Sequence, residues 1–404
     1  MSERYDIYLH RKESIPVGTL WLSNIRGKVN SAFVYAEAWL RQQTKFPICP
    51  DLPLDQHAKT CDGLFSCFQD CSPDRWGRML LQRQEASAAS KENRRVRTLL
   101  ESDYLLRVSD LSRQGALRIS NDGGKTFLGH AAAGSIPPLV DLPVLLNAWK
   151  NIDGKPGTYD DLRTLVSPGS SLGGARPKAS VLGSGGDLFI AKFPSRKDDR
   201  DIPLWEYVAF RLAKRAGLNT PCTELHRVLG KAVLLVKRFD RNGAGRVPFL
   251  SAMSMLQARD GEHMSYADMA AALQETGTAP REDLHELWSR MVFNMCIYNV
   301  DDHLRNHAFL HDGTGWRLSP VYDLEISHPA EKAPYLHTGI IDNDSGIDLQ
   351  AAVEAAEFFR LSKAAALQRM KEIRDAVSHW RYEASSAGAT KAEMQYMRDA
   401  FEYL

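Results

Sequence analysis

Two aspartates and an asparagine in the second half of the chain have the types and spacing needed for phosphoryl transfer. Asp301 and Asn306 have the D-x-x-x-x-N spacing of kinase catalytic loops, in which the carboxylate orients the acceptor hydroxyl and the amide oxygen binds magnesium. Asp323 follows seventeen residues after Asn306, where a second oxygen ligand for magnesium is needed. These residues predict a kinase that uses ATP and Mg²⁺, with Asp301 catalytic and Asn306 and Asp323 as metal ligands.

A glycine-rich segment upstream is suited to holding the phosphates of a nucleotide. Backbone amides from Ser170 to Ala175 can approach phosphates because Gly173 and Gly174 have no side chain. Lys178 follows directly and adds a positive charge. The segment therefore predicts a phosphate-covering loop, although such a signal is weak by itself.

A single lysine on an apolar strand is the second candidate for phosphate binding. Lys192 is the only charged residue between Asp187 and Pro194. A lone strand lysine is more often an ordinary exposed residue. Glu206 shifts this balance, because it lies near the start of a predicted helix fourteen residues later, the spacing at which kinases pair a strand lysine with a helix glutamate. We therefore expect Lys192 and Glu206 to belong to the ATP site.

A metal hydrolase is the alternative interpretation of the same acidic region. His303 and His307 are four residues apart and could share a helix face beside Asp301 and Asp302. That interpretation gives the glycine-rich segment, Lys192 and Glu206 no role, and the polar residues around the histidines would make a poor helix interior. We assign His303 to shaping the loop and count it among the residues of the ATP site.

Three of the six cysteines, Cys61, Cys67 and Cys71, lie close together in the sequence. Zinc sites usually combine a close cysteine pair with a matched second pair, and that second pair is missing here. The apolar residues between these cysteines are typical of a protein core. Structural thiols are therefore favoured over a zinc site.

Composition limits the remaining classes of function. The 404 residues carry 51 Lys and Arg against 50 Asp and Glu, a formal charge of +1, which gives no general attraction for DNA or an acidic membrane. Residues 1–13 carry charges of both signs, and no apolar run approaches 18 residues. We expect a cytoplasmic protein that binds neither membrane nor nucleic acid directly.

The predicted elements divide the chain into a strand-rich part followed by a helical part. A breaker-rich connection at residues 121–140 and the change in element type suggest a mixed N-terminal subdomain at 1–135, a strand-rich lobe at 136–245 and a helical lobe at 246–404. This order predicts a two-lobed α+β fold like that of protein kinases, with an additional N-terminal subdomain. We expect strands at 5–9, 17–21, 178–182, 188–193, 224–229, 232–239, 308–310 and 316–318, and helices at 76–83, 205–216 and 284–298.

Several motifs, in order along the whole chain, resemble the HipA family of serine/threonine kinase toxins from bacterial type II toxin–antitoxin systems. One such motif alone would be a weak sign, whereas the ordered set is specific. The motifs are VGTL (17–20), GLF (63–65), SPDRWGR (72–78), GALR (115–118), SLGGARPK (171–178), IAKFP (190–194), VKRFDR (236–241), DDHLRN (301–306) and PVYDL (320–324).

The resemblance implies further roles for residues of the nucleotide site. Lys192 would contact the ATP phosphates, and Lys237, Arg238 and Phe239 would form the segment that meets adenine. Family members phosphorylate a serine in their own glycine-rich loop, which inactivates the kinase, and alignment on Gly174 places that serine at Ser171, with Ser170 second. A phosphoserine adds about −1.5 to −2 charges where ATP phosphates would sit, so the two would repel each other.

The resemblance also implies partners. A small DNA-binding antitoxin, like HipB, would be the partner, and the near-neutral charge of this chain agrees with DNA binding by that partner. Family substrates are aminoacyl-tRNA synthetases, notably the one for glutamate. Two alternatives differ in function: a phosphotransferase acting on a small molecule or lipid, and a non-catalytic kinase-like module that binds the antitoxin.

Overall fold

The computed structural model describes residues 2–129, 136–154, 157–169, 174, 176–259, 261–342 and 344–404. The strands are β1 (Ser2–His10), β2 (Ser14–Ile25), β3 (Lys28–Tyr35), β4 (Lys59–Asp62), β5 (Leu117–Ser120), β6 (Lys178–Leu182), β7 (Leu188–Lys192), β8 (Thr223–Val228), β9 (Lys231–Lys237), β10 (Arg241–Asn242), β11 (Gly245–Arg246), β12 (Phe249–Ser251), β13 (Ala308–His311) and β14 (Trp316–Leu318).

The helices are α1 (Glu37–Leu40), α2 (Ser66–Asp70), α3 (Arg75–Lys91), α4 (Glu101–Arg107), α5 (Leu142–Ile152), α6 (Tyr159–Gly169), α7 (Ile202–Arg215), α8 (Ala252–Met255), α9 (Tyr266–Thr276), α10 (Pro280–Cys296), α11 (Leu349–Glu354), α12 (Lys363–Ser378), α13 (Trp380–Ala387) and α14 (Lys391–Phe401). Short 3₁₀ helices occur at Leu139–Asp141, Leu304–Asn306 and Ala355–Phe359. Each of the predicted strands and helices is confirmed to within a few residues at its ends, although α3 extends eight residues beyond its predicted end.

Two compact units make up the fold. The first comprises Met1–Lys197, Arg227–Lys231 and Lys237–Leu250, and the second comprises Asp198–His226, Ala232–Val236 and Ser251–Leu404. The three-part division at residues 135 and 245 stays a prediction. None of the helices in the described ranges is long and apolar enough to cross a membrane.

An antiparallel sheet with strand order β4-β3-β2-β1-β5 is the base of the first unit. Every second residue of β3 is buried, as expected for a sheet with one face on the core. Helix α6 packs against α3 and α5 in the same unit. Strands β6 and β7 form a hairpin in which Lys178 is paired with Lys192.

Helix α10 forms the centre of the second unit. Every residue of this helix from Leu287 to Cys296 is buried. A helix buried on all sides must satisfy its polar groups internally. The Arg290 guanidinium therefore contacts Glu286 (2.9 Å) and the Ser319 carbonyl (2.5 Å). Helices α9 and α12 pack directly against α10.

The three clustered cysteines of the first unit, Cys61, Cys67 and Cys71, are free thiols. Cys67 and Cys71 are buried, and Cys61 lies on β4. Burial raises the pKa of the Cys71 thiol to about 12, and the Cys71 Sγ lies 3.7 Å from the Gln114 carbonyl oxygen. These two buried thiols are neutral at physiological pH.

A buried carboxylate joins distant segments of the first unit. Asp240 accepts hydrogen bonds from Arg238 (2.7 and 2.5 Å), from Arg241 (2.7 Å) and from the Gly115 backbone N–H (2.8 Å). Burial by itself would raise the pKa of the Asp240 carboxyl, but the Arg238 and Arg241 charges and these hydrogen bonds hold that pKa well below its usual value. Asp240 therefore stays ionised and fixes residues 112–115 to residues 238–241.

We expect Asp240→Asn to lower the free energy of unfolding by about 3–5 kcal/mol, because it leaves the buried Arg238 and the half-buried Arg241 guanidinium groups without their anion. The matched control is Asp187→Asn, which removes the exposed ion pair with Lys237 (2.6 Å) and should cost less than about 1 kcal/mol. Urea denaturation followed by circular dichroism measures both. Equal losses for the two variants would contradict the assigned role of Asp240.

Candidate active site

The predicted catalytic loop begins where α10 ends, and its backbone is fixed by asparagine side chains. Asn299 donates through Nδ2 to the Asn294 Oδ1 (3.0 Å), and the Asp301 backbone N–H donates to the Asn299 Oδ1 (3.3 Å). Both asparagines are buried. The end of a rigid helix thus determines where the Asp301 backbone lies.

Asn306 and Asp323 line one pocket in the second unit, and their role as two ligands of one metal ion stays a prediction. Asn306 is also tied to Asp301, because its Nδ2 donates to the Asp301 backbone carbonyl (2.8 Å). With the amide nitrogen engaged there, the amide oxygen is the atom of Asn306 that can bind a cation. Further pocket-lining residues are Asn299, Asp302, His307 and Tyr322.

Asp323 has a left-handed backbone conformation, with φ of 54°. This region is unfavourable for residues other than glycine and is occupied where the surroundings impose it, often at functional sites. The side chain of the preceding Tyr322 is held by a hydrogen bond from its hydroxyl to the Arg305 carbonyl (2.7 Å). The site therefore fixes the residue beside Asp323 to the segment that carries Asn306.

Asp302 has a structural role that the sequence analysis did not predict. Its buried carboxylate accepts hydrogen bonds from the Tyr266 hydroxyl (2.8 Å) and from the backbone N–H groups of His337 (2.8 Å) and Thr338 (3.4 Å). Burial raises the pKa of the Asp302 carboxyl to about 7, against these hydrogen bonds, which favour the ionised form. Asp302 thus joins the predicted catalytic loop to α9 and to the segment around residue 337.

The geometry contradicts the helix-face arrangement on which the alternative of a metal hydrolase depended. His303 and His307 flank the short 3₁₀ helix Leu304–Asn306 and do not share an α-helix. His307 is buried with Nε2 at 3.2 Å from the Asp302 carbonyl oxygen, and burial lowers the pKa of its imidazole to about 3. His307 therefore stays neutral and positions the loop. The ring of His303 lies edge-on to that of His337, with centroids 5.7 Å apart.

Two lysines face the same side of the β6–β7 hairpin in the first unit. Lys178 and Lys192 are directly opposite each other in the register, and both are buried. Residues opposite each other on antiparallel strands have their side chains on one face, where two like charges repel. The contact of these two lysines with ATP phosphates stays a prediction. Glu206 is buried in α7 of the second unit, and its pairing with Lys192 stays a prediction.

The described residue of the glycine-rich segment, Gly174, is tied to the first turn of α3. Asp74 occupies the N-cap position of this helix without capping it through its side chain. The Asp74 carboxylate instead accepts from the Gly174 N–H (2.8 Å), and the Trp76 N–H donates to the Gly174 carbonyl (3.1 Å). The SPDRWGR motif therefore positions one end of the segment. The expected residues Ser170, Ser171, Gly173 and Ala175 lie outside the described residues.

The three residues expected near adenine have different environments in the first unit. Lys237 forms an exposed ion pair with Asp187, and the ring of Phe239 stacks on Phe249 with centroids 6.5 Å apart. The side chain of Arg238 is bound to Asp240 and, through Nη1, to the Ser112 carbonyl (3.1 Å). The Arg238 side chain is therefore part of the buried ion network.

Two protein-family models together match most of the chain. The HipA-like C-terminal domain family matches residues 170–380, and the HipA N-terminal domain family matches residues 6–101. Over 327 residues the chain is 24% identical to the serine/threonine-protein kinase toxin HipA of Shewanella oneidensis, which covers 72% of this chain and 68% of that protein.

Two further relatives match shorter regions. The putative kinases Y4mE and Y4dM of Sinorhizobium fredii are 27% and 30% identical over 146 and 164 residues. These matches cover 33% and 36% of this chain, and 33% and 39% of the respective relatives. The matched region thus spans well under half the length of each of these two proteins.

The structure of this chain is similar to one solved structure over nearly its entire length. HipA in the Shewanella oneidensis complex of HipA, HipB and operator DNA has a TM-score of 0.63 and 17% identity, and the match covers 98% of this chain and 95% of that one. The molecule therefore has an α+β fold of the protein-kinase type. The chain belongs to the HipA family, because the family's C-terminal domain pattern alone matches more than half of its length.

The raised pKa of Asp302 predicts a specific pH dependence of stability. An unfolded aspartate has a pKa of about 4, whereas the pKa of Asp302 in the folded protein is about 7, so the folded state binds the proton more tightly. The free energy of unfolding therefore falls as the pH rises from about 4 to about 7. Asp302→Asn removes this contribution. We expect the melting temperature of the wild type to fall relative to that of Asp302→Asn between pH 5 and pH 8. Parallel curves would contradict the raised pKa.

Proposed function

We propose that this chain is a serine/threonine protein kinase of the HipA type, which transfers the γ-phosphoryl group of ATP to a protein hydroxyl. The observation that carries the proposal is the pocket lined by Asn306 and Asp323, together with the hydrogen bond from Asn306 to the backbone of Asp301. Family membership adds to it, because the three relatives named above have kinase names over matched regions of this chain.

In the proposed reaction, Asp301 orients the acceptor hydroxyl and takes its proton. The acceptor oxygen forms a bond to the γ-phosphorus while the bond from that phosphorus to the β–γ bridging oxygen breaks, and ADP leaves with the electron pair. This chemistry depends mainly on position, so the fixing of the Asp301 backbone by Asn299 and Asn306 supports the assignment.

The residues present fit a magnesium ion. A carboxylate and an amide oxygen line the same pocket, and hard oxygen ligands are those that Mg²⁺ prefers. Asn306 and Asp323 would hold the ion, which would neutralise phosphate charge during transfer. Lys192 and Lys178 would contact the ATP phosphates, with Glu206 orienting Lys192, whereas the Gly174 N–H is already engaged by Asp74.

The remaining nucleotide contacts and the self-inactivation are proposed from the family resemblance. Residues 237–239 would contact adenine, with Arg238 contributing backbone atoms, since its side chain is held by Asp240. Phosphorylation of Ser171, or else Ser170, would place negative charge where the ATP phosphates bind and so block the site.

The proposed partners are a small DNA-binding antitoxin and a protein substrate. The Shewanella oneidensis HipA was solved with HipB and operator DNA, which supports a HipB-like partner for this chain. A formal charge of +1 agrees with DNA binding residing in that partner. An aminoacyl-tRNA synthetase in the cytoplasm is the proposed class of substrate.

We expect Asp301→Asn to reduce transfer by about 10²–10⁴-fold, because the substitution removes the proposed general base. Nucleotide binding should persist, because Asp301 is not proposed to contact the phosphates. Asp323→Ala should weaken Mg·ATP binding as well, because it removes a proposed metal ligand. Transfer is measured with labelled ATP and mass mapping of products, and binding is measured by calorimetry.

The matched control for both variants is Asp375→Asn, an exposed carboxylate on α12 that should retain wild-type transfer. Undiminished phosphorylation by the Asp301→Asn protein would contradict the assignment of Asp301 as the catalytic residue. Wild-type protein that neither binds Mg·ATP nor transfers phosphate would overturn the proposed kinase.

We expect Ser171→Ala to prevent self-inactivation, because the glycine-rich segment then lacks its preferred phosphate acceptor. Cells expressing this variant should grow more slowly than cells expressing wild type or Ser170→Ala. Growth curves measure the effect, and mass spectrometry of the purified proteins locates the phosphate. Identical growth of all three strains would remove this role of Ser171.

A further inference from the structure

The segment that follows Asp323 brings a lysine back to the proposed catalytic aspartate. The Lys332 Nζ lies 3.5 Å from the Asp301 Oδ1 and 3.2 Å from the Glu325 Oε1. No sequence motif indicated this lysine, since it is thirty-one residues from Asp301. It supplies an ammonium group beside the carboxylate that would receive the acceptor proton.

The backbone of Lys332 is firmly held. Its carbonyl accepts a hydrogen bond from the Tyr298 hydroxyl (2.8 Å), and its N–H donates to the His328 carbonyl (3.0 Å). The adjacent Glu331 is bound by the buried Arg200 guanidinium (2.9 Å) and by the Tyr396 hydroxyl. The backbone around Lys332 is thus held by Tyr298 just after α10, by Tyr396 on α14 and by Arg200 just before α7.

The ion pair between Lys332 and Asp301 contributes little to the stability of the fold. The Lys332 and Asp301 side chains are 38% and 43% exposed, and exposed pairs contribute little to the free energy of unfolding. The pair can, however, restrict the orientation of the Asp301 carboxylate. In phosphoryl transfer, such orientation has a large effect on rate.

Other charged or titratable groups also face this carboxylate. The His337 imidazole is close enough for the Asp301 charge to act on it, and burial lowers the pKa of His337 overall. The His303 ring adjoins that of His337. Among these neighbours, Lys332 is the cation in direct contact with the Asp301 carboxylate. Glu325 is the second anionic partner of the Lys332 ammonium group.

Building on the proposed kinase function, we propose that Lys332 is a positioning residue for Asp301. The ammonium group holds the carboxylate in one orientation until the acceptor hydroxyl binds to it. Contact with Glu325 keeps the ammonium group in place after the acceptor hydroxyl has bound to Asp301. Lys332 thereby affects the rate of transfer and leaves the affinity for ATP unchanged.

Steady-state kinetics of the full-length chain test this role. We expect Lys332→Met to lower kcat by about 10- to 100-fold, with the KM for Mg·ATP and the melting temperature close to wild type. Lys332→Arg keeps the positive charge and should restore at least half of the wild-type kcat. A lysine that only supported the fold would change stability or KM as well, and arginine would not restore kcat selectively.

The matched control is Lys371→Met, which removes an exposed lysine on α12 and should retain the wild-type kcat. An unchanged kcat in Lys332→Met would overturn the inference. A higher kcat would overturn it too, because it would mean that Lys332 obstructs Asp301. These outcomes require active wild type, whereas inactive wild type would overturn the kinase proposal itself and with it the role of Lys332 in transfer.

Discussion

Hydrogen bonds to one buried carboxylate, that of Asp302, connect the segments on which the candidate active site depends. The carboxylate receives the Tyr266 hydroxyl from α9 and the backbone N–H groups of His337 and Thr338. Asp302 is adjacent to Asp301, so these contacts also restrict the residue proposed to accept the proton. Burial makes the ionised form costly, which is the reason that three donors converge on this group.

A comparable constraint acts in the first unit, where Asp240 holds together the GALR and VKRFDR motifs. The Gly115 N–H and the Arg238 and Arg241 guanidinium groups all reach this carboxylate. Residues that identify the family in the sequence therefore include structural ones. Arg238, expected near adenine, has its side chain bound in this network, which leaves only its backbone for the proposed contact with adenine.

The short-range parts of the candidate site could be predicted from the sequence. Asp301 and Asn306 are five residues apart, and a loop of that length determines that they lie close together. Lys332 and Tyr266 could not be found in this way, because they approach the loop from segments thirty-one and thirty-six residues from Asp301 and Asp302. The pairing of Lys178 with Lys192 follows from the hairpin, whereas their burial does not.

Hydrophobic periodicity and ordered motifs determined the element types, the family and the positions of the residues proposed for catalysis. Only three of the described α-helices were given bounds from the sequence; α5 and α6 are among the others, and both are short and stabilised by packing against their neighbours. Only the tertiary structure decided that Asp74 binds Gly174, that Asp302 is buried and that Lys332 faces Asp301. Sequence patterns record local backbone preferences, whereas these contacts depend on how distant segments pack and on which charges that packing removes from water.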